Sequence, residues 1–291
     1  MGQHYGYVLC NAKPQQPSLQ YLQIREAQRR IHKERVTSEQ DKHRNTALAI
    51  GKFGIGILLA SFDCHNQRLF SKLPLTDAMY IAITTILHTG GARHGQFVYH
   101  TPSTNDMVWT STESAYRLKS TWRKTNKTSR PYFLTFPKTP RFEAFVYEVP
   151  RDYGVATDST KVTACDIISW YLRRPDVRHL HRTPRAKLFP LPYTNRRQLY
   201  QTWLQQAFAY AIPTTNGMHR LIRPHSMRAG CATDLRAEGI PDTIIMKLGR
   251  WQFMFDKAMH KYDRTNLRTM LTSDAFLYQP GVEERRSGTN A

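Results

Sequence analysis

Apolar residues recur along the chain with two periods, and the periods sort its elements. In "TDAMYIAITTILHTGG" Met79, Ile83, Ile86 and Leu87 fall on one helical face. Thr76 stands where a cap would, and Gly90 and Gly91 mark the end. The period then drops to two. In "AYRLKSTWR" Tyr116, Leu118 and Trp122 share one face, while Arg117, Lys119 and Arg123 take the other. "MVWTST" before it and "PYFLTFP" after it are rich in the same aromatic and β-branched residues. The pattern predicts a small antiparallel sheet of three strands. A basic turn, "KTNKTSR", joins the last two.

Beyond the sheet the pattern is helical. "TACDIISWYLRR" reads as one helix, and "RRPDVRHLHRTPRAK" as a basic, proline-broken loop. "NRRQLYQTWLQQAFAY" has Asn195 as its cap and gathers Leu199, Trp203, Leu204 and Phe208 on one side. A further helix starts after Pro224 and is stopped by Gly239 and Pro241. "PDTIIMKLG" makes a short helix in which Ile244, Ile245, Met246 and Leu248 are packing residues. Upstream, "SLQYLQIREAQRRIHKER" is a basic helix with Ser18 as its cap. The prediction is an α+β fold, mainly helical. A basic helical segment spans 1–72, a larger domain 73–278, and a flexible polar tail 279–291.

Charge narrows the partner. Lys and Arg number 42 against 22 Asp and Glu, a net +20 over 291 residues. A surplus of that size favours a polyanion, of which nucleic acid is the commonest. The four cysteines show no metal-ligand spacing and no disulfide framework. The most apolar run, "ALAIGKFGIGILLASF", is broken by Lys52 and too short to span a bilayer. The reading is a soluble protein of a reducing compartment.

The stretch "PHSMRAG" sets His225 one helical turn ahead of Arg228. Arg93 stands at a glycine-flanked turn. Chemistry at a phosphodiester needs cations for the non-bridging oxygens, a nucleophile, a base and an acid. Arginine suits the first task, since its planar fork donates in pairs and keeps its charge. A histidine between two guanidiniums has its charged form disfavoured, which suits proton transfer.

Four blocks, in order, are "TGGARHGQF", "RKTNKTSRPYFLTFP", "RPHSMRAGCATDLRAEGIPDTIIMKLGRW" and "HKYDR". Over roughly residues 73–270 they resemble the signature blocks of tyrosine recombinases, the phage-integrase-like site-specific recombinases. The resemblance implies a tyrosine-recombinase-like catalytic domain, preceded by a reduced or partial core-binding domain. It makes Arg93 and Arg228 the phosphate clamp and His225 the proton acceptor. Lys124 of the β-hairpin becomes the acid, with Lys127 as its alternative. Trp251 takes the position held by histidine or tryptophan in the family, and Tyr262 becomes the nucleophile, with Tyr278 as a weaker candidate.

The family's reaction uses neither metal nor other cofactor. It implies double-stranded DNA as partner and a homotetramer on two sites. The "GRW" variant resembles eukaryotic transposon recombinases of the Crypton or DIRS kind, which implies a nuclear protein, or a cytoplasmic one with the nucleoid if the source is not eukaryotic. Two features depart from the pattern. Gln96 stands where the family commonly has an acid, and the interval from Trp251 to Tyr262 is long. Two other readings compete. One is a DNA-binding module without chemistry, since "CATDLRAEGIPDTIIMKLGRW" also scans as helix, turn, helix. The other is a type IB-like topoisomerase.

Overall fold

The computed structural model describes residues 48–98, 102–120, 132–151, 158–179, 183, 186–191, 194–211 and 218–249. Residues 47–291 form one compact unit and 1–46 another. The basic helix with Ser18, residues 121–131 of the hairpin and the 279–291 tail lie outside the described residues.

Among the described residues four helices come first: α1 (Lys52–Ser61), α2 (Gln67–Phe70), α3 (Leu75–Thr89) and α4 (Gly95–Val98). Then come β1 (Met107–Thr110), β2 (Ala115–Ser120), β3 (Tyr132–Pro137), β4 (Val146–Pro150) and β5 (Ser159–Thr163). Helices α5 (Ala164–Arg173), α6 (Pro175–Arg178), α7 (Arg196–Ala211), α8 (Ser226–Ala237) and α9 (Asp242–Gly249) follow. The class is therefore the expected one, mainly helical with small antiparallel sheets. No helix among the described residues is long and apolar enough to cross a membrane.

Helix α3 is the centre of the core. Every residue from Ala78 to Thr89 is buried, because the run is apolar nearly all round and not on one face alone. Its buried hydroxyls are satisfied locally. Thr84 donates to the Tyr80 carbonyl at 2.7 Å and pairs with the Tyr200 hydroxyl at 2.9 Å. Thr76 does not cap the helix, which begins one residue earlier, at Leu75 after Pro74, with no side-chain cap. The far end is as expected: Gly90 closes the helix and Gly91 takes φ +51°, a conformation that favours glycine.

The three-stranded sheet has the predicted order and alternation. Met107 pairs with Leu118, and Leu118 with Leu134, forming a buried row. Arg117 and Lys119 lie on the other face, where the Arg117 guanidinium stacks 5.0 Å above the Phe133 ring. A second sheet was not predicted. β4 and β5 pair from Val146 with Thr163 to Pro150 with Ser159. Tyr147, Val149 and Val162 are buried while Glu148 and Lys161 face outward. Only five residues per strand show that alternation, too few to stand out from the helical pattern that follows.

The buried stripe of α7 is Tyr200, Leu204, Ala207, Phe208 and Ala211. Leu199, expected within it, is 43% exposed. Trp203 is half-buried and donates its indole N–H to Asp77 at 2.7 Å. Asn195 precedes α7 at φ +53°, a left-handed conformation that asparagine tolerates, unlike the extended geometry of a capping residue. The start of the larger unit packs backbone to backbone against α8. Ile50 N–H donates to the Ser226 carbonyl at 3.1 Å, and a Cβ on Gly230 would overlap the Ile50 carbonyl oxygen.

Candidate active site

The Gly90–Gly91 turn reverses the chain at the end of α3 and delivers Arg93. Ala92 N–H donates back to the Leu87 carbonyl at 3.0 Å, which fixes the turn. A Cβ on Gly91 would lie 3.2 Å from Gly249 Cα and 3.6 Å from Cys231 Sγ, so the turn is wedged between α8 and the end of α9. Arg93 is half-buried.

The second block is set by its own local chemistry. Pro224 is buried, and Ser226 Oγ accepts from Arg223 N–H at 3.0 Å, so the chain enters α8 in one direction. His225 is the residue that precedes α8, and its side chain is exposed. Ala229 N–H donates to the His225 carbonyl at 3.1 Å, so His225 and Arg228 do stand one turn apart. Their surroundings differ: Arg228 is only 3% exposed. Its Nη1 donates to the Gly91 carbonyl. That bond joins the two arginine-bearing blocks. Lys124, Lys127, Trp251, Tyr262 and Tyr278 all lie outside the described residues.

Position 94 carries a histidine that pattern reading passed over. His94 is 4% exposed and stacks face to face on Tyr200, with ring centroids 4.8 Å apart and planes 9° apart. Burial, then the electrostatic influence of His225 and of Arg197, push its pKa down to about 3. The imidazole is therefore neutral at physiological pH. Its only sequence signal was its place next to Arg93.

Several described side chains can be set aside as nucleophiles. Burial raises the pKa of Tyr147, Tyr171 and Tyr200 well above the ordinary phenol range. Burial, followed by Asp234, pushes the Cys231 thiol up to about 12. Helix α9 turns Ile245 and Met246 into a small cluster with Ala232 and Leu235 of α8. Among the described residues no group of three or more His, Cys, Asp or Glu could hold a metal ion.

No protein-family model matches the chain. No curated protein matches it at a significant level. Among solved structures it is similar to a crystal structure of the XerH site-specific recombinase bound to palindromic difH substrate, a post-cleavage complex. The TM-score is 0.48 and the identity 10%, over 84% of this chain and 56% of the other. The chain thus spans a little over half the length of that recombinase.

Proposed function

We propose that the protein cuts and rejoins DNA strands as a tyrosine recombinase. The observation that carries the reading is the bond from Arg228 to the Gly91 carbonyl, which brings together two arginine blocks more than a hundred residues apart. Arg93 and Arg228 then act on the same phosphate and stabilise the charge that gathers on its non-bridging oxygens. The Tyr262 hydroxyl attacks phosphorus, forming a 3′-phosphotyrosyl bond as the bond to the 5′ oxygen breaks. His225, exposed at the head of α8, takes the tyrosine proton. Lys124 gives a proton to the leaving 5′ oxygen, and Trp251 packs under the phosphate. Rejoining runs the same steps backwards, so the bond energy is conserved and no nucleotide cofactor enters.

The net charge of +20 supports a DNA partner. We further propose a tetramer on two sites and a nuclear protein encoded by a mobile element of the Crypton or DIRS kind. The test is covalent capture. Nicked or phosphorothiolate suicide duplexes, tiled across the DNA that flanks the coding region, should yield a detergent-resistant protein–DNA adduct. Tyr262→Phe should abolish it. Specific binding with no adduct on any duplex would make the chain a binding module. Relaxation of supercoiled plasmid without sequence preference would make it a topoisomerase.

A further inference from the structure

A chain of polar side chains runs through the core beneath the two arginine blocks. Asp234, on α8, is 6% exposed. Its Oδ2 lies 3.1 Å from Nε2 of His88, a fully buried residue in the last turn of α3. The same oxygen accepts the backbone N–H of Lys52 at the start of α1. On the other side of the imidazole, His88 Nδ1 lies 3.2 Å from the Tyr147 hydroxyl of β4. That hydroxyl pairs with Thr89 Oγ1 at 2.8 Å.

The hydrogens can be placed without conflict. A carboxylate accepts, so His88 Nε2 carries a hydrogen. Nδ1 either accepts from Tyr147 or, in the imidazolium, donates to it, and Thr89 completes the row in both cases. Burial keeps Tyr147 protonated, since its pKa is raised. Every donor and acceptor named is engaged, which is the condition under which a buried polar row is tolerated.

Apolar residues of equal volume would fill this space at no electrostatic cost. What they would lack is direction. Hydrogen bonds specify one register, whereas apolar surfaces tolerate a slide. The register at stake is that between α3 and α8. His88 lies three residues before Gly91, and Asp234 lies six residues after Arg228, about 9 Å further along the helix axis. The His88–Asp234 pair and the Gly91–Arg228 bond are therefore two attachments at separate heights on α8. One attachment sets a distance; two also set the roll of the helix. Gly51 shows how closely the fit is drawn, because a Cβ there would overlap the Asp234 carboxylate.

We propose that Asp234, acting through His88, is a positioning residue for the arginine pair. It holds the end of α3, and with it the turn that delivers Arg93, in register with the helix that carries Arg228. The inference rests on the site proposed above, and two readouts separate its failure from the failure of that site. Asp234→Asn and His88→Gln are compared with wild type, with thermal midpoints confirming folding. Tyr147→Phe, which deletes one hydroxyl, replaces any variant that does not fold.

The first readout needs no cleavage. It is the exchange rate of the Arg228 Nε hydrogen in 15N spectra, assigned through Arg228→Lys. The variants should exchange at least tenfold faster. The second is the rate of adduct formation at saturating DNA, expected to fall about 10- to 100-fold while the Kd for the duplex stays within about threefold. Cleavage losses in the Asp234→Asn, His88→Gln double variant should not multiply. A wild type that forms no adduct sinks the functional reading and leaves the exchange prediction standing. Unchanged exchange in folded variants overturns the positioning role whatever the cleavage assay shows. In an active wild type, so does an unchanged cleavage rate or a loss confined to Kd.

Discussion

Arg228 Nη1 donates to the carbonyl oxygen of Gly91, across 137 positions of sequence. The bond uses a guanidinium to tie down a turn, and it sets the plane of the group that would meet a phosphate. A guanidinium has five N–H donors in a rigid fork, so it can serve a carbonyl and a second acceptor at once. An ammonium has no such plane.

Arg228→Lys therefore separates charge from geometry. The variant keeps the positive charge but cannot hold the Gly91 carbonyl and present a planar fork together. Single-turnover adduct formation on a suicide duplex should slow about 100- to 1,000-fold. DNA binding, which depends on the summed charge, should change little. Near-normal adduct formation in Arg228→Lys would show that point charge suffices and that the fork is dispensable.

How much of this was legible in the sequence depends on how local each signal is. The end of α3 was readable because Gly91 terminates the helix at φ +51°, a conformation that favours glycine. The start of α8 after Pro224 was readable because proline restricts the chain, and its stop at Gly239 because glycine accepts φ +73°. The alternation in β2 was readable because six residues carried it. The β4–β5 hairpin was not, since short alternating runs are common by chance. Leu199 was placed on the wrong side of α7 because an apolar residue at the edge of a helical stripe can fall either way. The partnership of His88 with Asp234 spans 146 positions, and no periodicity links residues that far apart. The depth of Arg228 was equally hidden, since one residue's burial depends on every element packed over it.

Gly230→Ala should destabilise the protein although alanine is the better helix former. The propensity gain is about 1 kcal/mol. Against it, the new Cβ would overlap the Ile50 carbonyl oxygen, and both partners are backbone or held by backbone hydrogen bonds. Overpacking of that kind costs about 3 kcal/mol, so a net loss near 2 kcal/mol is expected. Gly239→Ala is the control: it has φ +73° but open space around it, and only the conformational strain of about 1 kcal/mol applies. Urea unfolding of the three proteins checks the order. A Gly230→Ala protein as stable as wild type would mean that α8 and residues 50–51 can move apart freely.

His94 should make stability fall on the acid side of neutrality. Its pKa is near 3 in the folded protein against 6.5 for the ordinary side chain, so the unfolded chain binds the extra proton between those values. Stability from this group is complete above pH 6.5 and is lost as pH drops toward 3. The slope is about 1.4 kcal/mol per pH unit, so roughly 2 kcal/mol is lost by about pH 5. His94→Phe keeps a ring to stack on Tyr200 and removes the proton site. Unfolding free energies from urea titrations at about pH 7.5 and pH 5 should differ less in His94→Phe than in wild type, by that amount. The neighbouring Arg197 sharpens the test, because its charge raises the cost of a second charge at position 94. An equal loss in both proteins would show that His94 takes up its proton without unfolding, and that its surroundings admit water.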